Sequence, residues 1–326
     1  MPTTILLSAP YMLPFIDRFL PVFDAYGINL ILPEVHERLS EDEILVYAGH
    51  FDGAICGDDR YTEQVLQACL PRLKVVSKWG TGIDSIDKVA ATRLGIQVCN
   101  TPNAFTLPVS DSVLGYILAF ARRLPWMDAR MKAGEWEKLP GRSLSECTLG
   151  VIGVGNVGKA VLRRARPFGM RLLGNDIAPI APDFILENYL EMTSLKDLLQ
   201  RSDFVSINCD LNPTSHHLIN AETLGWMQPH AVLINTARGP VVDEKALVAT
   251  LQSGAIGGAA LDVFEAEPLP LDSPLQSMNN VMLAAHNSNS SPAAWERVHW
   301  NTIRNLLEGL GLDASPLSAF QSSAQA

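Results

Sequence analysis

Basic residues are few in this chain: 25 Lys and Arg stand against 35 Asp and Glu across 326 residues, a formal net charge of −10. No cluster of Lys and Arg relieves that balance locally. A general nucleic-acid surface is therefore excluded, because holding a phosphate backbone needs a concentrated positive footprint. An acidic protein that binds an acidic small molecule must instead gather its cations at one place. Cysteine is scarce too. Cys56, Cys69, Cys99, Cys147 and Cys209 are scattered, odd in number, mostly embedded in apolar runs, and show neither a CxxC nor a metal-ligand spacing. They read as reduced core residues of a cytoplasmic protein, with no disulfide framework and no metal site. Long apolar runs are also missing: nothing approaches the ~18 consecutive residues of a membrane span, and residues 1–10 lack the basic n-region of a signal peptide.

What the chain does have is apolar mass, 47% of its residues. That supports a large core, and the length suggests two domains. Short β-rich runs at 3–7, 28–32, 53–56, 73–77 and 96–99 alternate with helical segments at 61–69 and 86–94, and Ser40 with Glu43 forms a capping-box signature. This is the pattern of a doubly wound α/β unit. Asn100-Thr101-Pro102-Asn103 breaks it, and a long helix-compatible stretch, 106–131, follows with Pro125 interrupting it. Strand candidates at 147–152, 170–173, 204–207, 231–235, 255–261 and 281–284 then build a second such unit, with Asp243 capping a helix that runs to Leu251. The last helix, 292–310, has no place in the second sheet and is expected to pack back on the first domain. The Ser-, Ala- and Gln-rich tail after Ala314 reads as frayed. The fold class expected is α/β, two doubly wound parallel-sheet domains of Rossmann-like or flavodoxin-like type, with an active-site cleft between them. Residues 1–101 with 290–326 would form a discontinuous substrate domain, and 102–289 the nucleotide domain.

The most informative motif is Gly153-Val154-Gly155-Asn156-Val157-Gly158, a GxGxxG placed between an apolar run and an Ala/Arg-rich helical segment. The setting counts for more than the letters. A buried strand delivers the chain to the first glycine, and a helix starting near Gly155 aims its backbone N–H groups at a pyrophosphate. Eighteen residues beyond Gly158 stands Asp176, where a carboxylate can hold both ribose hydroxyls of an adenosine. Ile177, Ala178 and Pro179 follow it, with no Arg or Lys to receive a 2′-phosphate. NAD is favoured over NADP.

Three charged residues fall just past strand ends of the second unit, where open α/β sheets bind ligands: Arg238, Glu267 and His286. Separately, each reads equally well as a loop salt bridge, a solvated turn or a satisfied polar residue. Together they supply a mechanism. His titrates near neutrality and can take or give the hydroxyl proton, a neighbouring carboxylate fixes its tautomer, and Arg grips a substrate carboxylate with two prongs.

The set Gly153 to Gly158, Asn235-Thr236-Ala237-Arg238-Gly239, the run from Gly258 through Asp262 to Glu267-Pro268, and His286 closely resembles the D-isomer-specific 2-hydroxyacid dehydrogenases, the phosphoglycerate dehydrogenase-like branch. The likeness covers nearly the whole chain. It implies an NAD-dependent enzyme that exchanges a hydride at C2 of a small anionic 2-hydroxy or 2-oxo acid, with His286 as acid/base, Glu267 as its partner and Arg238 as clamp. It implies cofactor contacts from Gly153, Gly155, Asn156, Val157, Gly158, Asp176 and Ile177, from Cys209, Asp210 and Asn212, and from Thr236, Ala237 and Asp262. Lys78-Trp79-Gly80-Thr81 is similar to the family's substrate loop, and the family commonly forms homodimers through the nucleotide domain. The chain departs from the family's pattern at Asn287 and Asn289 after the His, at Asn208 and Asp210, and at Asp111. A phosphite- or phosphonate-type oxyanion dehydrogenase and a non-catalytic NAD sensor remain as alternatives.

Overall fold

The computed structural model describes residues 2–324. Within them the chain divides into two units, Met1–Phe105 with Ser291–Ala326, and Thr106–Ser290.

The first unit is built on a five-stranded parallel sheet: β1 (Thr3–Leu7), β2 (Ile28–Ile31), β3 (Gly53–Cys56), β4 (Val75–Lys78) and β5 (Gln97–Cys99), in the order β2-β1-β3-β4-β5. β3 and β4 are buried at every position, as a strand covered by helices on both faces must be, which is why β3 and the Val75-Val76 half of β4 run apolar instead of alternating, with Ser77 and Lys78 following as buried polar residues. Strand order reverses between β1 and β3, the flavodoxin-type switch point. The helix Pro292–Gly309 belongs to this unit and buries Ala294, Val298, Ile303, Leu306 and Leu307 at helical spacing. The tail departs from expectation. Leu317–Ala324 is helical, because Leu317 is fully buried and Phe320 packs on the same core, giving a Ser/Ala-rich segment an apolar face to dock. Residues 325 and 326 lie outside the described part.

The second unit carries seven parallel strands: β6 (Thr148–Ile152), β7 (Arg171–Asn175), β8 (Leu190–Met192), β9 (Phe204–Ile207), β10 (Val232–Asn235), β11 (Gly258–Leu261) and β12 (Val281–Leu283). Their order, β12-β11-β10-β9-β6-β7-β8, reverses between β6 and β9, as in a Rossmann sheet. The helix-compatible stretch expected to be interrupted at Pro125 is two helices, Thr106–Arg122 and Leu124–Lys132. Arg123 adopts a left-handed conformation with φ 55°, and Pro125 sits in the first turn of the second helix, where its missing N–H costs nothing. The apolar face of the first helix is used within its own unit: Val113, Leu114, Ile117 and Phe120 join the cluster that includes Leu149, Val151, Val232 and Ile234 of the sheet.

Candidate active site

The glycine motif sits at the switch point of the second unit. β6 ends at Ile152, and Gly153 turns the chain with φ +86°, a conformation only glycine adopts without strain. A Cβ on Gly153 would lie 2.6 Å from Cys209 N, so the turn rests directly on the backbone that follows β9. A Cβ on Gly158 would lie 2.0 Å from Gly153 O, so helix and turn touch main chain to main chain. At Gly155 the same position meets nothing within 4 Å. Gly155 caps the helix Asn156–Ala165, whose residues Gly158, Val161, Leu162 and Ala165 form the buried stripe. The open glycine face at a helix N-terminus leaves room for an anion such as a pyrophosphate, and Asn156 and Val157 carry the first helical amides.

Asp176 closes this site from the end of β7. Its Oδ2 accepts from Val154 N at 2.6 Å and its Oδ1 from Ala178 N at 2.7 Å, which pins the carboxylate beside the glycine turn. Ionised carboxylates keep further lone pairs for ribose hydroxyls. Past β9, Asn208 Oδ1 is buried and unpartnered among the described residues, and past β10 the same holds for Thr236 Oγ1. Buried polar atoms are rarely left so, and both lie where a bound nucleotide would satisfy them. The residues present therefore fit NAD. Of the other expected contacts, Cys209 is half-buried, its thiol pushed up to about 11 by burial, and Asp210 is exposed. Ile177 is 88% exposed. Asn212 is occupied with its own loop, its Oδ1 accepting from Thr214 N at 2.8 Å and Thr214 Oγ1 at 2.7 Å.

The three candidate catalytic residues all belong to this unit. Asn235, at the end of β10, orders the turn that carries Arg238: its Oδ1 accepts from Ala237 N at 3.1 Å and its Nδ2 donates to Arg238 O at 2.9 Å. Arg238 is half-buried, and its Nη1 donates to Ala237 O at 2.8 Å. Beyond β11, Glu267 folds back so that Oε1 accepts from Phe264 N at 2.9 Å and Oε2 faces His286 Nδ1 at 3.0 Å. An ionised carboxylate only accepts, so Nδ1 is the donor of this pair. Glu265, two residues earlier, pairs instead with His217 Nε2 at 2.6 Å.

His286 itself has φ 50°, an uncommon conformation for a non-glycine residue and one that needs support from its surroundings. Asp262 supplies it. This carboxylate is 1% exposed; Oδ1 accepts from Asn287 N at 2.8 Å and Oδ2 from Ser288 N at 3.0 Å, while Asp262 O accepts from His286 N at 2.8 Å. Expected beside the nicotinamide, Asp262 is engaged in this structure as the brace of the His286 loop.

The loop expected to take substrate lies in the first unit. Lys78 is the last residue of β4, 4% exposed, with Nζ 3.0 Å from Asp58 Oδ1. Gly80 turns with φ +125°, and Thr101 N donates to Gly80 O at 2.8 Å while Thr81 Oγ1 donates to Thr101 O at 2.9 Å. Trp79 belongs to this loop through its backbone: its side chain is core, 3% exposed, packed on Tyr11, Phe105 and Trp295, and its Nε1–H donates to His299 Nδ1 at 2.9 Å. A large indole gains more from that burial than from a wet loop. Asp58 escaped the sequence reading; a carboxylate just past a strand end, one sheet neighbour away from Lys78, was the available signal.

A GxGxxG turn at the switch point of a Rossmann sheet, joined in one unit to a histidine–carboxylate pair and an arginine, defines a nicotinamide-dependent oxidoreductase. Residues 114–288 match the family model of the D-isomer specific 2-hydroxyacid dehydrogenase NAD binding domain, and the chain belongs to that family of NAD-dependent oxidoreductases of small 2-hydroxy and 2-oxo acids. It is 39% identical over 284 residues to a glyoxylate reductase of Thermofilum pendens, covering 85% of this chain and 84% of the relative. It is 35% identical over 282 residues to a hydroxypyruvate reductase of Thermotoga maritima, covering 85% and 90%. Its structure superposes with a TM-score of 0.82 on a D-lactate dehydrogenase of Aquifex aeolicus complexed with NAD and lactic acid, at 27% identity over 95% of this chain and 98% of that one. No helix among the described residues is long and apolar enough to cross a membrane.

Proposed function

We propose that the chain reduces a short 2-oxo acid of the glyoxylate or hydroxypyruvate type, with His286 as acid/base, Glu267 as its partner and Arg238 as the carboxylate clamp. The 3.0 Å pair of His286 Nδ1 and Glu267 Oε2 carries this reading. NADH, when bound, supplies the hydride for C2. Nε2 of His286 gives its proton to the developing alkoxide, and Glu267, held by the Phe264 amide, keeps Nδ1–H in place as the imidazole changes charge. Arg238 draws the substrate carboxylate into a two-pronged ion pair and polarises the adjacent oxygen. Lys78 and the Gly80 turn are further substrate contacts in this reading.

The relatives' reductase names support the reaction over the sensor and phosphite alternatives. Exposed Leu107, Leu124, Met131 and Trp136, on and just after the helix pair, support a homodimer formed through the second unit, and five free cysteines support a cytoplasmic setting. Light scattering on the purified protein reads the dimer directly. For the chemistry, His286→Ala should lower kcat/KM for NADH-dependent reduction by about 10²- to 10⁴-fold while NADH still binds, the usual range for a lost acid/base. Turnover within tenfold of the parent would reject His286.

A further inference from the structure

Lys78 is a buried cation at the end of β4, and it does not stand alone. Its Nζ is 3.0 Å from Asp58 Oδ1 and donates to Trp79 O at 3.2 Å. Asp58 follows β3, the strand beside β4, and its side chain is 36% exposed. Beneath it Asp59 is fully buried, accepting from Ser8 Oγ at 2.5 Å and from Leu39 N at 2.6 Å. Burial pushes the Asp59 carboxyl up to about 6, against the Ser8 and Leu39 hydrogen bonds and the nearby Lys78 charge, so it is ionised at neutral pH. Ser8, Asp58, Asp59 and Lys78 thus end β1, β3 and β4, flanking the point where strand order reverses, which is where open α/β sheets receive ligands. Arg60, next in the chain, is exposed, and water and salt screen its charge.

One buried ammonium is therefore matched by a carboxylate in contact and a second below it. Among Lys78, Asp58 and Asp59 the carboxylates outnumber the ammonium. An ion pair of this kind returns little to a further anion, because the ammonium is already satisfied and the new charge must leave water next to two carboxylates.

We propose that Asp58 sets the charge selectivity of the substrate site: by neutralising Lys78 it restricts turnover to 2-oxo acids whose carboxylate is their only anion, and discriminates against a phosphate, phosphonate or second carboxylate at the far end. This rests on the preceding reading, in which Lys78 faces substrate. Asp58 is assigned this part through its contact with Lys78.

Oxaloacetate and its amide 2-oxosuccinamate differ in charge at nearly constant shape, and hydroxypyruvate with phosphohydroxypyruvate forms a second pair. With NADH, the parent should favour the singly charged member of each pair by at least tenfold in kcat/KM, about 1.4 kcal/mol. Asp58→Asn should shrink that ratio at least tenfold, and Asp58→Glu should keep it. A parent that uses both members equally, or an Asn variant with an unchanged ratio, overturns the assignment; if the Asn variant does not fold, the parent's ratio decides. Failure to reduce any acid, glyoxylate included, overturns the proposed function itself, whereas turnover with the wrong charge preference overturns only the role of Asp58.

Discussion

Single carboxylates acquire different work in this protein through what surrounds them. Glu265 and Glu267 stand two apart in one strand-end loop, yet the first holds His217 and the second His286. Asp262 and Asp176 have similar places in sequence, each just past a buried strand, but Asp262 spends its oxygens on the amides after His286 while Asp176 stays half-exposed beside the glycine turn. At Asp176 the negative charge opposes a 2′-phosphate. Asp176→Ala should lower kcat/KM with NADH by about tenfold or more and raise the NADPH-to-NADH ratio by a similar factor, since a charge-assisted hydrogen bond carries about 1.5–3 kcal/mol. Steady-state kinetics with the two coenzymes check it; an unchanged ratio means that Asp176 does not read the ribose.

The strand–turn–helix around the motif separates two uses of glycine. Gly158 lets the helix pack against the Gly153 carbonyl, whereas Gly155 faces open space. Gly158→Ala must push main chain apart and should cost about 1–3 kcal/mol of stability together with NADH affinity, the usual range for overpacking. Gly155→Ala should leave stability within about 1 kcal/mol, because glycine and alanine differ modestly at a helix N-cap, yet still weaken NADH binding. Urea unfolding and NADH fluorescence titration on the two variants distinguish these outcomes; equal stability losses would refute the division. Elements with a clear period or cap were legible before any coordinates: β9, the Ser40–Glu43 capping box and the Asp243-capped helix all follow from short-range rules. β8, three residues at a sheet edge, is too short to show a period, and the terminal helix shows only once Leu317 has a core to enter.

At the scale of the folded molecule, burial moves two ionisable groups of the first unit in opposite senses. His299 lies against Trp79, and burial brings its imidazole down to about 4 from the ordinary 6.5. Its Nδ1 must stay unprotonated to accept from the indole. Its contribution to stability is therefore full above about pH 6.5 and is lost as pH falls through about 4. Asp59 is raised from 3.8 to about 6, so its contribution is full below 3.8 and is lost as pH rises through about 6. Each is worth on the order of 3 kcal/mol, and across pH 4 to 6 they offset one another. Relative to the parent, His299→Gln should lose stability as pH rises through that window and Asp59→Asn should gain it. Chemical unfolding at pH 4, 5, 6 and 7 measures both slopes; slopes of the same sign would contradict the assignment.

Alternation of buried strands and helices, the glycine spacing and the acidic residue after the second strand were enough to determine an α/β dinucleotide-binding chain, because those patterns act over a few residues and leave their period in the sequence. Which glutamate meets His286, that Trp79 is core, and that Asp58 lies on Lys78 were decided only in three dimensions. Each depends on side chains brought together from separate loops or strands, and the distance between them in sequence carries no record of the distance in space.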